Sequence, residues 1–193
     1  MKFLLEAAKR GYAVAQYDLA VAFAKGDVIE RNDSLAHHWY EKAAESEEPR
    51  ALYEMSLRYR KSRFVEQDND RGIELLKRAA ELEEPNALYE YGGMLIDDGN
   101  DDGYKYMEVA ADLGSEKAMI CMFEYLDGKK RYKEAYKYAK ALSEAGNHEG
   151  TRHMADYYLE GKGVSRDKRL AKDLYYDAAK AGNKIAKEKL RKL

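Results

Sequence analysis

One short run of residues recurs along this chain at a nearly constant interval, and this recurrence limits the possible folds more than any other feature. Residues 36–44 read Ala-His-His-Trp-Tyr-Glu-Lys-Ala-Ala, and residues 171–179 read Ala-Lys-Asp-Leu-Tyr-Tyr-Asp-Ala-Ala. Looser copies lie between them and at the start. The first position of each alanine pair, or its equivalent, falls at residues 7, 43, 79, 110, 142 and 178. A period of this length is typical of stacked supersecondary units.

Each period divides into two helical segments. In the first whole period, Ala15, Leu19 and Phe23 fall on one helical face, and Gly26 ends that segment. The polar residues 32–34 can cap the next helix through their side-chain oxygens. The same phase predicts about twelve helices, with boundaries placed to within about two to four residues. First helices are expected near 13–25, 49–61, 85–97, 115–127 and 147–160, and second helices near 33–45, 69–82, 101–113, 131–145 and 167–181.

The repeats account for nearly the whole sequence, so we expect a single all-α repeat domain over residues 1–193. Small residues at one register, such as Ala51 and Gly150, predict that neighbouring helices approach closely. The linkers inside the third and fourth units are shorter than the others. The domain divides into a half-unit, five units and a C-terminal capping helix, at 1–11, 12–47, 48–83, 84–114, 115–146, 147–182 and 183–193.

Charge and cysteine content disfavour several functional classes. The net charge is −2, from 34 Lys and Arg against 36 Asp and Glu, so no overall basic field favours nucleic acid or an anionic membrane. No apolar run approaches the length of a membrane-spanning helix, and residues 3–5 are too few for a signal-peptide core. Cys121 is the only cysteine, which suits a reducing compartment, and we expect a cytoplasmic protein.

No group of residues predicts a catalytic or metal centre. His37 and His38 are neighbours on one helix and point about 100° apart, so they cannot share a metal ion. Cys121 has no histidine near it in sequence and is expected to be a packed or semi-exposed thiol rather than a nucleophile. Residues 98–103 match the first half of a calcium-binding loop, but its terminal acid falls one position early, at Glu108, and the repeat phase favours a helix cap there. We expect no cofactor, no metal and no enzymatic activity.

The repeat unit resembles that of a known family, most clearly in the fifth unit. That unit contains Met154-Ala155, Tyr158, the loop Gly161-Lys162-Gly163-Val164, Asp167, Ala171, Leu174-Tyr175, Ala178-Ala179 and Gly182. This pattern resembles the Sel-one-like repeat, an α/α family related to the tetratricopeptide repeat, and the resemblance covers nearly the whole chain. The third and fourth units depart from it, because they lack the Gly-x-Gly-Val loop, and Leu142-Ser143 replaces the alanine pair in the fourth.

The resemblance implies a right-handed α/α superhelical solenoid whose concave groove binds a protein or peptide. The expected function is a non-catalytic interaction scaffold, an adaptor or regulator, acting as a monomer. Two alternatives come from the same family: a bacterial immunity protein that docks onto a toxin, and a β-lactam-processing enzyme like the secreted, disulfide-rich relatives, which the single cysteine disfavours. A nucleic-acid binder is a third alternative, which the net charge disfavours. The sequence identifies neither the partner nor the pathway, and the chain could be part of a longer repeat array.

The phase of the repeats also predicts the binding surface. In tetratricopeptide-like arrays, one face of every first helix lines the groove, and that register holds Tyr17, Tyr53 and Tyr89, followed by Ile120 and Arg152. Tyrosine and arginine are common among interface hot spots. The alternative is that the tyrosines only pack between repeats, which burial of all three against second helices would indicate. Neighbouring positions complete the predicted partner-binding set: Arg50, Leu57, Arg60, Glu124 and Asp156.

Overall fold

The computed structural model describes residues 1–193 as twelve α-helices and no β-strand. The ten helices of the five repeats lie within about two residues of the predicted ranges, so the all-α prediction is confirmed. None of the twelve combines the length and the apolar character needed to cross a bilayer. The helices are α1 (Lys2–Lys9), α2 (Ala13–Lys25), α3 (Asp33–Glu45), α4 (Pro49–Arg60), α5 (Asn69–Glu81), α6 (Pro85–Asp97), α7 (Gly103–Asp112), α8 (Glu116–Gly128), α9 (Tyr132–Glu144), α10 (His148–Glu160), α11 (Lys168–Lys180) and α12 (Lys184–Leu190).

The helices form two compact units, residues 1–106 and residues 107–193. Within each unit, a first helix packs along the second helix that follows it, as in the pairs α2–α3, α4–α5, α8–α9 and α10–α11. The expectation of one continuous repeat domain stays a prediction. The second unit has a core of alanines around Tyr175, formed by Ala155, Ala171, Tyr175, Ala178 and Ala186.

Local chemistry explains where the helices begin. Pro49 and Pro85 stand at the first position of α4 and α6, where the missing N–H group is not needed. The carboxylate of Glu48 accepts a hydrogen bond of 2.8 Å from the backbone N–H of Ala51, and Glu84 caps α6 in the same way. Asn32 caps α3, as the sequence predicts. These caps satisfy backbone donors that have no partner inside the helix.

Small residues let neighbouring helices approach closely, as predicted. A side-chain carbon placed on Gly150 of α10 would lie 2.5 Å from Cβ of Leu142 and 2.7 Å from the backbone nitrogen of Ser143 on α9. Ala51, Ala87 and Ala118 hold the same register in their helices and are fully buried. The first helices are therefore fixed in position, and the side chains on their other faces are held at defined places.

The loops between the two helices of a repeat differ in length. The loops in repeats one, two and five span residues 26–32, 61–68 and 161–167. Those in repeats three and four span only residues 98–102 and 129–131, which confirms the predicted shortening. Asn100 in the first short loop accepts a hydrogen bond from the backbone N–H of Asp102, so this side chain stabilises the turn before α7.

Candidate protein-binding site

The three tyrosines of the predicted binding surface lie on three successive first helices of the first unit. Tyr17 lies on α2, Tyr53 on α4 and Tyr89 on α6, and all three side chains are half-buried. Polar side chains of α4 and α6 accompany them. We call the following set the tyrosine face: Tyr17, Arg50, Tyr53, Glu54, Arg60, Tyr89 and Glu90.

Tyr53 is held by a carboxylate from the next repeat. Its hydroxyl group donates a hydrogen bond of 2.7 Å to Oε1 of Glu90, and Nη1 of Arg60 lies 2.9 Å from the other carboxylate oxygen. Burial and the hydrogen bond to Glu90 raise the pKa of Tyr53, so the hydroxyl stays protonated and remains a donor. One carboxylate therefore fixes an aromatic ring and an arginine side by side across α4 and α6.

Tyr17 is fixed by stacking instead. The guanidinium carbon of Arg50 lies 4.1 Å from the centre of the Tyr17 ring, and Nε of Arg50 is 2.7 Å from Oε1 of Glu48. The rings of Tyr17 and of Tyr40 on α3 meet in an edge-to-face arrangement, with the centroids 5.7 Å apart. Burial, and next to it the negative charge of Glu54, raises the pKa of Tyr17. Tyr17 thus packs partly on a second helix while its other side carries the arginine.

The remaining predicted residues have different surroundings. Leu57 is half-buried on α4, whereas Ile120 and Glu124 are exposed on α8 in the second unit. Arg152 and Asp156 on α10 have side chains only 12% and 15% exposed. The structure thus pairs Arg50 with Tyr17, and Tyr53 and Arg60 with one carboxylate, while the membership of all ten in one binding site stays a prediction.

Arg152 and Asp156 belong to a closed ionic cluster. Nη1 of Arg152 lies 2.7 Å from Oδ2 of Asp156, and Nε of Arg152 lies 2.7 Å from Glu149. The other oxygen of Asp156 accepts hydrogen bonds from the Tyr175 hydroxyl on α11 and from Nζ of Lys189 on α12. This cluster ties three helices together, and its polar atoms are already paired within the chain.

Sequence reasoning missed the two acids of the tyrosine face. Glu54 and Glu90 directly follow Tyr53 and Tyr89, and Asp18 follows Tyr17 in the same way. This tyrosine–acid pair recurs at the spacing of the repeats, and the recurrence could have identified both residues. The pair is absent from the equivalent positions of repeats four and five, where Ile120 and Arg152 stand.

The residues considered for other chemistry are placed apart. Cys121 is half-buried on α8, and burial, with Glu124 next in effect, raises the pKa of its thiol. His153 packs on Phe123, and burial lowers its pKa to about 4. Burial likewise lowers the pKa of His37. These groups are neutral near pH 7, and none of them lies in the tyrosine face.

Taken together, the helix pairs and their small-residue contacts define an α/α repeat protein. The sequence model of the Sel1 repeat matches the chain five times, at residues 13–47, 49–83, 85–115, 118–147 and 148–183. The chain therefore belongs to the Sel1 repeat family. No curated protein matches it.

Several solved structures have the same fold. One is the protective antigen c5321 of uropathogenic Escherichia coli, with 24% identity over 98% of this chain and a TM-score of 0.78. This chain spans 43% of the length of that structure. A Sel1 repeat protein from Oxalobacter formigenes has 25% identity over 93% of this chain and 75% of its own, with a TM-score of 0.68. The immunity protein Pa5087 from Pseudomonas aeruginosa has 24% identity over 90% of this chain and 67% of its own, with a TM-score of 0.50.

Proposed function

We propose that this chain is a non-catalytic scaffold that binds a protein partner through the tyrosine face. Proteins with Sel1 repeats generally mediate protein–protein interaction. Within the first unit, the tyrosine face combines the residue types that dominate binding energy at interfaces, namely tyrosine and arginine. The proposal assigns the contact surface to α2, α4 and α6.

The fixed position of Tyr53 is the observation that carries this proposal. A side chain that binds a partner usually loses rotamer freedom, which costs about 0.5–1.5 kcal/mol for each immobilised side chain. Glu90 already restrains Tyr53 and Arg60 in the free protein, so much of that cost is met before binding. A half-exposed ring with a fixed orientation is a suitable anchor for an apolar side chain of the partner.

The stack of Arg50 on Tyr17 adds a second restrained pair nearby. The guanidinium group covers one face of the ring and keeps a polar edge toward Glu48. Cation–π contacts of this kind are worth about 0.5–1 kcal/mol at exposed sites. The two pairs give the face alternating aromatic and charged groups, which suits a partner segment that carries both apolar and charged side chains.

The test is quantitative binding of a captured partner. The full chain is used as bait in a lysate of its source cells, the retained protein is identified and purified, and its affinity is measured by titration calorimetry. Tyr53→Ala is expected to weaken binding about thirtyfold or more, because a hot-spot truncation costs about 2 kcal/mol or more. Tyr17→Ala should act in the same direction with a smaller effect.

Tyr176→Ala is the matched control, because Tyr176 is a tyrosine on α11 that is 58% exposed and lies outside the tyrosine face. It should leave the affinity unchanged. If Tyr176→Ala weakens binding and Tyr53→Ala does not, the surface assigned here is wrong. Circular dichroism of each variant checks that the helices are intact.

We further propose that the scaffold acts as a monomer in the cytoplasm. The single cysteine supports a reducing compartment, where no stabilising disulfide is needed. Light scattering on the purified chain tests the first part, and fractionation of source cells tests the second. A stable dimer, or recovery from the medium, would contradict the respective part.

A further inference from the structure

Arg58 on α4 is buried with two of its polar atoms unpaired. The residue is 7% exposed, and neither Nε nor Nη1 has a hydrogen-bond partner. The guanidinium carbon lies 4.8 Å from the ring centre of Tyr40 on α3 and 5.4 Å from the ring centre of Phe64 in the loop that follows α4. A charged group has thus been moved out of water and placed between two aromatic rings.

This arrangement is costly within the chain itself. A buried donor without a partner costs about 1–3 kcal/mol, and more when it carries a charge. Burial lowers the pKa of Arg58, yet an arginine keeps its charge at neutral pH. The carboxylates of Asp33 and Glu54 attract it from a distance, but Asp33 is already paired with Arg31, at 3.1 and 3.0 Å.

The repeat architecture does not require a charge here. The position seven residues after the small residue of each first helix holds Ala22, Met94, Tyr125 and Tyr157 in the other four repeats. Each of these fills the same register with an uncharged side chain. The arginine is therefore specific to the second repeat, and packing alone does not account for it.

Phe64, whose ring covers Arg58, has a strained backbone and a mostly exposed side chain. Phe64 has a backbone φ of 62°, in the left-handed region that a bulky residue rarely adopts, and its side chain is 57% exposed. The loop is anchored on both sides of it, by hydrogen bonds from the N–H of Arg63 to the carbonyl of Arg58 and from the N–H of Asp68 to the carbonyl of Tyr59. Displacing the Phe64 ring therefore loses little buried surface and leaves the anchors in place.

We propose that Arg58 is the anchor of a carboxylate-binding site, which opens when an acidic group of a protein partner displaces Phe64. A guanidinium group matches a carboxylate in geometry and charge and can bind it through two parallel hydrogen bonds. The nearby positive charge of Arg63 adds to the preference for an anion. The site is distinct from the tyrosine face and does not depend on the proposed function of that face.

A carboxylate could come from an acidic side chain or from a chain terminus, and two small probes separate these sources. N-acetylalanine carries only a main-chain carboxylate, and the N-methylamide of N-acetylglutamic acid carries only a side-chain carboxylate. Each is titrated into the full chain at constant ionic strength while the Nε–Hε NMR signal of Arg58 is followed. At least one probe is expected to cause a saturable shift of that signal, and the tighter one identifies the source.

Arg58→Met should weaken binding of that probe at least about tenfold, since a hydrogen bond between charged groups is worth about 1.5–3 kcal/mol. Binding to this variant is followed through the backbone signals of residues 61–68. Arg71→Met is the matched control, because the Arg71 guanidinium also stacks on a tyrosine, 4.6 Å from the Tyr59 ring centre, but is exposed. It should bind the probe as the unchanged chain does. No saturable shift with either probe, equal losses in both variants, or tighter binding of inorganic phosphate would overturn the carboxylate assignment.

A measurement without ligand tests the unpaired state of Arg58. Methionine fills the space between Tyr40 and Phe64 without a charge, so Arg58→Met should raise Tm, as replacement of a poorly compensated buried charge by an apolar group often does. Phe64→Gly removes the cover and the strained backbone, and it should tighten probe binding. A Tm several degrees lower in Arg58→Met would show that the guanidinium is paired within the chain and would contradict the proposal.

Discussion

Helices α4 and α10 hold equivalent places in the second and fifth repeats, yet they differ at one buried position. In α10 this position is Tyr157, whose hydroxyl donates a hydrogen bond of 2.7 Å to Asp127 and whose ring packs with Phe123 and Tyr136. In α4 it is Arg58, whose Nε and Nη1 have no partner. One repeat satisfies its buried polar group and the other does not.

The loops after these helices differ in the same sense. The loop after α10 has Gly161 and Gly163 at its two left-handed positions, with φ of 74° and 68°. The loop after α4 has Ser62 and Phe64 at the equivalent positions, with φ of 51° and 62°. Glycine adopts this conformation without steric cost, whereas other residues pay about 1–2 kcal/mol.

The comparison shows which residues suit the repeat fold at these positions and which departures from them the fold can accept. Repeat five has the residues that a stable helix pair with this loop needs, and its local preferences agree with its structure. Repeat two departs from them at three positions that lie close together, one on the helix and two in the loop. Clustered departures from local preference are expected at functional sites rather than at random.

The largest expected effect in this comparison is the loss of Tyr157. Tyr157→Ala removes a buried ring and leaves Asp127 without its donor, so we expect the free energy of unfolding to fall by about 4 kcal/mol. Urea denaturation measures this change. The exposed Tyr176→Ala should change stability by less than about 0.5 kcal/mol. A loss below about 1 kcal/mol for Tyr157→Ala would mean that this register is not a core position.

Gly163→Ala is expected to lower the free energy of unfolding by a smaller amount. A side-chain carbon there would lie 2.6 Å from the backbone carbon of Tyr132, and the left-handed φ adds strain. Overpacking and strain together should destabilise the chain by about 3 kcal/mol, measured by urea denaturation. Gly99→Ala is the control, because Gly99 is also left-handed but has open space around it. Equal losses at both glycines would show that contact with the start of α9 is unimportant.

The burial of His153 on α10 should make the stability of the fold depend on pH. The equivalent position of α4 in repeat two holds Glu54, so repeat two has no buried histidine there. Burial, with the nearby positive charge of Arg152, lowers the His153 pKa to about 4, whereas an unfolded histidine titrates near 6.5. The unfolded chain therefore binds a proton that the folded chain does not, and stability should fall as pH decreases from about 6.5 to about 4.

The expected fall in the free energy of unfolding is about 2 kcal/mol, which is less than the pKa shift alone would give, because solvent partly screens this site. Urea denaturation between pH 4 and pH 7 measures the loss, and His153→Phe serves as the reference, because the ring against Phe123 is kept. The difference in stability between the two proteins should vary with pH. A constant difference across this range would contradict the lowered pKa.

The smallest expected effect is a gain. Ser62→Gly should relieve left-handed strain in the loop of repeat two and raise the free energy of unfolding by about 0.5–1 kcal/mol, because part of the relief is offset by the greater freedom of glycine when unfolded. Ser165→Gly, at an exposed loop position without a positive φ, should instead be neutral or slightly destabilising. Thermal unfolding detects both changes. A fall in Tm for Ser62→Gly would mean that the Ser62 hydroxyl stabilises the loop more than its backbone strains it.

Much of the fold could be predicted because its signals are local and repeated. Each signal acts within a few residues: glycines end helices, Asn32 caps α3, Pro49 begins α4, and the alanine pairs mark the second helices. The period of the repeats then places all of these signals in one common frame. The position of Tyr53 on a first helix follows from the same phase. The hydrogen bond from Tyr53 to Glu90 could not be predicted in this way, because it depends on how far α4 and α6 are displaced along each other.

The unpaired state of Arg58 was beyond sequence reasoning for a different reason. An arginine in the last turn of a helix usually extends into water and interacts with the helix dipole. Here two rings, from Tyr40 in the preceding repeat and Phe64 in a strained loop, enclose it. The pairing of Arg152 with Asp156 is local, but the burial of that pair depends on Tyr175 and Lys189, which lie in two other helices.

The raised pKa of the Cys121 thiol has a practical consequence for labelling the protein. Maleimides and other electrophiles react with the thiolate, and the raised pKa keeps that form scarce at neutral pH. Cys121 should therefore react with such reagents more slowly than an exposed thiol does. A fluorophore attached through Glu66→Cys, an exposed position two residues after Phe64, would be the main label on the molecule, and its emission would report in real time when the Phe64 ring leaves the guanidinium that it covers.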